Sequence, residues 1–226
     1  MVNKYLSRHT NLNSTKEAWE LSWSKQKLHV ADIIDLGRKV YNYFLFRFLR
    51  KYINSQTEFL EFGCGTATLG VMLAKKIKSY TGFDIADNAL EKAAENFKKS
   101  GLQNFNFEVK DITNFNSDKK FDIVWSQGLI EHFNEPYKLI DSHLEVCKGG
   151  GRVIISVPAS RSYHHLWYFL TRPIPLRRFW PWPDAIFIYK KMVDQYMKIL
   201  ANSYSQYHVT YIKPRILGLL VIIINR

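Results

Sequence analysis

The stretch Glu58-Phe-Leu-Glu-Phe-Gly-Cys-Gly-Thr-Ala-Thr-Leu-Gly70 decides how this chain reads. An apolar run suited to a buried strand carries one acid, Glu61, two residues ahead of a Gly63-Cys64-Gly65 turn. A helix is expected to open near Thr66. Glycines in such a turn let backbone approach a ligand closely, because no Cβ stands in the way and a positive φ costs them little. The helix behind the turn would offer unpaired N–H groups to a carboxylate or phosphate. In the pattern G-x-G-x-x-G the third glycine would fall at Thr68, a bulkier residue that argues against a pyrophosphate packed tightly on the helix.

Further acids follow at strand ends. Ser79-Tyr-Thr-Gly-Phe-Asp84 reads as the next strand, and Asp84 lies 21 residues after Gly63. An acid about 20 residues past the first glycine suits a ribose diol, since one carboxylate accepts two hydroxyl hydrogen bonds. Asp111 closes the run from Phe105, and a fourth strand runs from Phe121 to Gln127, followed by Gly128-Leu-Ile-Glu-His132. Taken singly, Gly63 and Gly65 also fit an ordinary strand-to-helix turn, and Asp84 and Asp111 fit helix caps. Cys64 reads as a small turn residue, since no histidine or basic partner stands at a recognisable spacing for a nucleophile.

The order of these landmarks resembles the class I S-adenosylmethionine (SAM)-dependent methyltransferases, nearest the group of ubiquinone and menaquinone biosynthesis enzymes. The resemblance covers roughly residues 55–158. It implies that Glu61, Gly63, Cys64 and Gly65 cradle the methionine part of SAM, and that Asp84 with Ile85 takes the ribose. By the same likeness Asp111 and Ile112 border the adenine, while Ser126 and Gln127 flank the methionine moiety. The product held there would be S-adenosylhomocysteine (SAH). Some relatives carry Glu-x-x-Glu-His after strand four and bind magnesium; here the first glutamate is Gly128, so no metal is expected.

Strands are expected near 57–62, 79–84, 105–110, 121–126, 151–157, 207–213 and 217–225, and helices near 14–26, 31–53, 66–77, 87–99, 136–147 and 191–202. Leu90, Ala93, Ala94 and Phe97 give the helix 87–99 one apolar face. Pro136 opens the next helix, and Lys148-Gly-Gly-Gly151 should end it. Alternating strand and helix imply an α/β fold: a Rossmann-like, seven-stranded, mostly parallel sheet with helices on both faces. In the resembled family the last strand is antiparallel. We expect one domain: an N-terminal helical lid (1–54), a SAM-binding core (55–158), an acceptor-site insert (159–190) and a C-terminal helix with hairpin (191–226).

The insert carries nine aromatics and five basic residues against one acid, Asp184. Three readings stand: a wall for a small-molecule acceptor, a contact with a membrane surface or lipid-linked acceptor, or a packed lid without a substrate role. Tyr163, His164 and Trp167 are its candidate substrate contacts. A general base is needed only when the acceptor must lose a proton; His132 is the first candidate, ahead of Tyr163, His164 and His165.

The 226 residues carry a net charge of +12, which permits anionic partners without requiring one. No separate nucleic-acid module is visible and no specific nucleic acid is expected, although RNA is a rival acceptor. A SAM-binding protein without catalysis is the rival from another class. Two cysteines without metal spacing suit a reducing compartment. The longest apolar run, Ile216 to Ile224, falls well short of the ~20 residues a spanning helix needs. The expected setting is cytoplasmic, with peripheral membrane contact as the variant, in a monomer or homodimer.

Overall fold

The computed structural model describes residues 16–17, 19–20, 31–115, 117–159, 188, 190–213 and 218–226, with backbone alone for 31–39 and 114. Its elements, in chain order, are α1 (Ala31–Leu49), β1 (Glu58–Phe62), α2 (Thr68–Ala74), β2 (Ser79–Asp84), α3 (Asp87–Lys99), β3 (Phe105–Val109), β4 (Phe121–Gln127), α4 (Pro136–Glu145), β5 (Cys147–Pro158), α5 (Lys190–Ile199), β6 (Gln206–Tyr211) and β7 (Leu219–Asn225).

The strands form one sheet in the order β3-β2-β1-β4-β5-β7-β6. β7 runs antiparallel to both neighbours, and the other recorded pairings are parallel. That is the expected doubly wound sheet. The strand order reverses between β1 and β4, so the crevice beyond their carboxyl ends is where a ligand of such a sheet sits.

Pleating sends alternate residues to opposite faces. Leu60, Phe62 and Val124 pack with α4 and α5 through Leu139, Ile140, Leu144, Val193 and Met197. Phe59, Ile123 and Trp125 pack with α1, α2 and α3 through Leu45, Leu49, Leu69, Leu73, Leu90 and Phe97. Both faces are covered, which is why the central strands read as near-continuous apolar runs.

Several expected boundaries move. α2 opens at Thr68 rather than Thr66, because Ala67 ahead of it holds a left-handed φ of 49°. α4 stops at Glu145, two residues early, and β5 already begins at Cys147. The glycines Gly149 to Gly151 thus lie inside an extended segment rather than merely ending a helix, with an irregular register against β4 between Phe121 and Ile123. A Cβ at Gly151 would stand 2.8 Å from the Asp122 carbonyl oxygen, so this close strand approach needs a glycine.

Candidate functional site

From Phe62 the chain turns through Gly63 (φ 64°) and Gly65 (φ 52°) into Ala67, the one non-glycine positive φ among the described residues. Such a residue stores on the order of 1–2 kcal/mol and persists only where its surroundings hold it. They do so from several sides. Asp84 Oδ2 accepts the Gly65 N–H at 2.7 Å, and Oδ1 accepts the Ala86 N–H at 3.0 Å. Cys64 N–H donates to the Phe83 carbonyl at 3.1 Å. Asn96 of α3 donates to the Thr66 carbonyl at 3.0 Å, and Asn42 of α1 donates to Thr68 Oγ1 at 2.8 Å. Thr68, where the dinucleotide pattern wants glycine, therefore ties α2 to α1. A Cβ on Gly63 would come within 2.9 Å of Leu129, so the turn also touches the loop after β4.

Three acids are buried around this crevice: Glu61, Asp84 and Glu131, at 5, 9 and 2% exposure. Glu61 faces Gly82 across β2 and Trp125 across β4. Tyr80 donates its hydroxyl to Glu61 Oε2. Burial pushes Glu61 up to about 8, with Tyr80 and the nearby Trp125 indole pulling the other way. The Trp125 N–H itself completes no hydrogen bond of good geometry. Burial also raises Asp84, against the backbone N–H groups of Ala86, Gly65 and Ile85. Glu131 is pushed by burial to about 8, and its Oε2 has no partner.

No lysine or arginine is buried among the described residues. The one histidine buried among them, His143, is pushed down to about 4 by burial and stays neutral. Its Nδ1 lies 2.5 Å from the Leu139 carbonyl and must carry the proton, so Nε2 accepts from Ser126 Oγ at 2.8 Å. Among the described residues the crevice thus holds buried acids without a buried lysine or arginine. It fits a ligand that brings positive charge and hydrogen-bond donors, as the ammonium and sulfonium of SAM would.

Of the residues singled out in the sequence, Glu61, Gly63, Cys64, Gly65, Asp84 and Ile85 gather at the carboxyl ends of β1 and β2. Cys64 is buried and its thiol is pushed well above the ordinary range, first by burial, so it is held un-ionised. Asp111 follows β3 and caps the short turn Ile112–Asn114, accepting from Thr113 N at 2.9 Å and Oγ1 at 2.7 Å. Ile112 packs into the core under α4 and α5. Ser126 is fully buried and spends its hydroxyl on His143, while Gln127 ends β4 partly exposed. His132 lies on the turn Ile130–His132 with the Trp19 ring edge-on at 5.3 Å. Tyr163, His164, His165 and Trp167 lie outside the described residues.

Sequence reading expected a helix near 14–26 in an N-terminal lid but did not single out Tyr80, Asn42, Asn96 or Trp19. Lys16 pairs with Asp87 at 2.7 Å, and Asn88 donates to the Glu20 carbonyl at 2.8 Å. Residues 16–17 and 19–20 therefore reach from the start of α3 to the loop after β4. The insert's two described ends, Ala159 and Ile188, meet in a parallel bridge at the end of β5. Among the described residues no group of three or more metal-ligating side chains is found, and no helix is long and apolar enough to cross a membrane. An open groove of about 640 Å³ lies under α4, away from the glycine turn. Its Lys120 and Arg226 are occupied with carbonyls at the end of that helix.

A family model described as a methyltransferase domain matches residues 53–200. The ubiquinone biosynthesis O-methyltransferase of Coxiella burnetii is 30% identical over 112 residues, which are 47% of this chain and 47% of that protein. The chain thus spans about half the length of the curated relatives it matches. Among solved structures, the N-methyltransferase NodS of Bradyrhizobium japonicum with bound SAH superposes with a TM-score of 0.63 at 15% identity, over 94% of this chain and 98% of that one. The DhpI–SAM–HEP complex superposes with a TM-score of 0.69 at 16% identity, over 97% of this chain and 100% of that one. At such identities the likeness is one of fold.

Proposed function

The chain belongs to the methyltransferase-domain family, and from that membership we propose that it transfers a methyl group from S-adenosylmethionine to a small-molecule acceptor. The observation that supports the cofactor is the set of buried acids Glu61, Asp84 and Glu131, with no lysine or arginine buried among the described residues. Glu61 and the Gly63–Gly65 backbone hold the methionine end, with Ser126 and Gln127 at its flank. Asp84 and Ile85 take the ribose, and Asp111 with Ile112 borders the adenine.

When bound, the cofactor supplies an electrophilic methyl group on sulfonium. The chain's part is binding, alignment and exclusion of water. Well-oriented reactants save roughly 7–11 kcal/mol of barrier, and the cross-braced turn is suited to that task. His132, beyond β4, is the proposed proton acceptor for a hydroxyl substrate. Curated relatives are named as O-methyltransferases, so hydroxyl acceptors are the first class to screen. The roots of the insert at the end of β5 support 159–190 as the wall of the acceptor pocket. Residues 16–20 support the N-terminal segment as its lid.

The test is calorimetric titration with SAH beside an Asp84→Ala variant, followed by labelled methyl transfer to phenolic and other hydroxyl acceptors. Micromolar binding lost in the variant supports the cofactor site. Absence of binding to the native chain sinks the reading.

A further inference from the structure

We propose that Tyr80 is a positioning residue for the cationic end of the cofactor: its hydroxyl, wedged between Gly70 and a wall of aromatic rings, fixes the Glu61 carboxyl beside the glycine turn. The inference rests on the SAM reading above. Tyr80 is fully buried. Phe59 stacks on it at 5.9 Å, with Phe97 at 5.1 Å and Phe107 at 5.9 Å. On the helix side a Cβ at Gly70 would stand 2.6 Å from Tyr80 Cζ and 2.7 Å from its hydroxyl. Glycine in a helix carries an entropic cost, and here it keeps room for the phenol. The ring has one place to lie, and there its hydroxyl meets Glu61 Oε2.

Among the described residues the groups facing Glu61 are few. From β2 come Tyr80 and Asp84, from the turn Cys64, and from β4 the non-ionising indole of Trp125. α2 has no ionisable residue. Burial favours the neutral acid, whereas an ammonium ligand needs the carboxylate. Tyr80 is pushed well above its ordinary range, by burial first, so it remains a donor at neutral pH. Its hydrogen bond favours ionised Glu61, and removing the hydroxyl leaves Glu61 protonated to a higher pH. Ligand binding is then coupled to proton release, with Tyr80 setting the pH at which the coupling occurs.

The experiment is SAH calorimetry on the full chain, native, Tyr80→Phe and Glu61→Gln, at pH 6.5, 7.5 and 8.5. Two buffers of different ionisation enthalpy count released protons. Native affinity should rise with pH and binding should release a proton. Tyr80→Phe keeps the ring and should bind about tenfold more weakly at pH 7.5, the loss of one hydrogen bond to a charged group, with the gap narrowing at pH 8.5. Glu61→Gln should bind weakly at every pH, with no proton released from this site. Unchanged affinity and proton count in Tyr80→Phe overturn the inference. So does a loss uniform across pH that accompanies a lower melting temperature, which marks a purely structural role. No SAH binding by the native chain sinks the cofactor reading and this inference with it.

Discussion

Glu131 has one carboxylate oxygen without any partner and almost no exposure to water. A buried acid in that state stays protonated, and burial raises it from 4.5 to about 8. Between those two values the unfolded chain has lost the proton while the folded chain keeps it. The folded state binds more protons there, so stability falls as pH rises through that window and is level below it. Glu131→Gln keeps the shape and removes the titration. It should change stability little at pH 5 and add about 1–3 kcal/mol at pH 8, read from urea melts at both values. A variant destabilised equally at both would show that the acid is held by a partner. The turn makes a second prediction: Gly63→Ala should cost about 1–2 kcal/mol, since its φ of 64° penalises any Cβ. SAH affinity should fall with it, because the ligand's backbone cradle shifts. That Glu61, Gly63 and Asp84 gather at one end of the sheet was legible, because spacing along the chain marks them. Glu131 was legible only as half of a motif, and Tyr80 not at all. Burial and a diagonal contact between strands depend on register, which no local pattern carries.

At the scale of elements, α3 was read to the residue because its apolar stripe and its ends agree. α2 was read two residues too long at its start, since a left-handed alanine cannot be told from a helical one by its name, and three too long at its end, which is Ala74. β5 hid its start in a glycine run that reads as a helix stop but also serves a strand crowded by Asp122. Gly70 shows how the two levels interact. In an exposed helix Gly→Ala stabilises by about 0.5–1 kcal/mol. Here the Tyr80 ring lies inside contact distance of the new methyl and cannot retreat past Phe97 and Phe107. Gly70→Ala should instead destabilise by about 1–3 kcal/mol, an overpacking cost, and adding Tyr80→Leu should recover part of it in thermal melts. At the opposite end of the sheet Lys148 joins Glu58 at 2.7 Å and Asp122 at 2.9 Å, holding Glu58 down near 2. These groups are partly exposed, so Lys148→Met should cost only about 0.5–1 kcal/mol at low salt and less at high salt.

For the whole molecule, the central question is how the crevice is closed. The two segments outside the minimal sheet both root at its carboxyl edge: residues 16–20 beside α3 and the loop after β4, and the insert at Ala159 and Ile188. Trp19 belongs to neither of the cores on the two sheet faces. Its described contact is the edge of His132, so removing it should leave the unliganded fold nearly as stable as before. An edge-to-face pair contributes about 0.5–1.5 kcal/mol beyond its area. If the segment closes over bound cofactor, that energy belongs to the liganded state, and Trp19→Ala should weaken SAH by about two- to tenfold. The native chain in SAH at about 100 times its Kd should gain about 2.7 kcal/mol. The variant at the same SAH concentration should gain less, by the logarithm of its affinity loss. Melts with and without SAH separate the cases. A variant that loses stability without ligand and gains the same increment with it would make Trp19 a packing residue of the fold. A variant unchanged without ligand and short of the increment with it would make residues 16–20 part of the binding site.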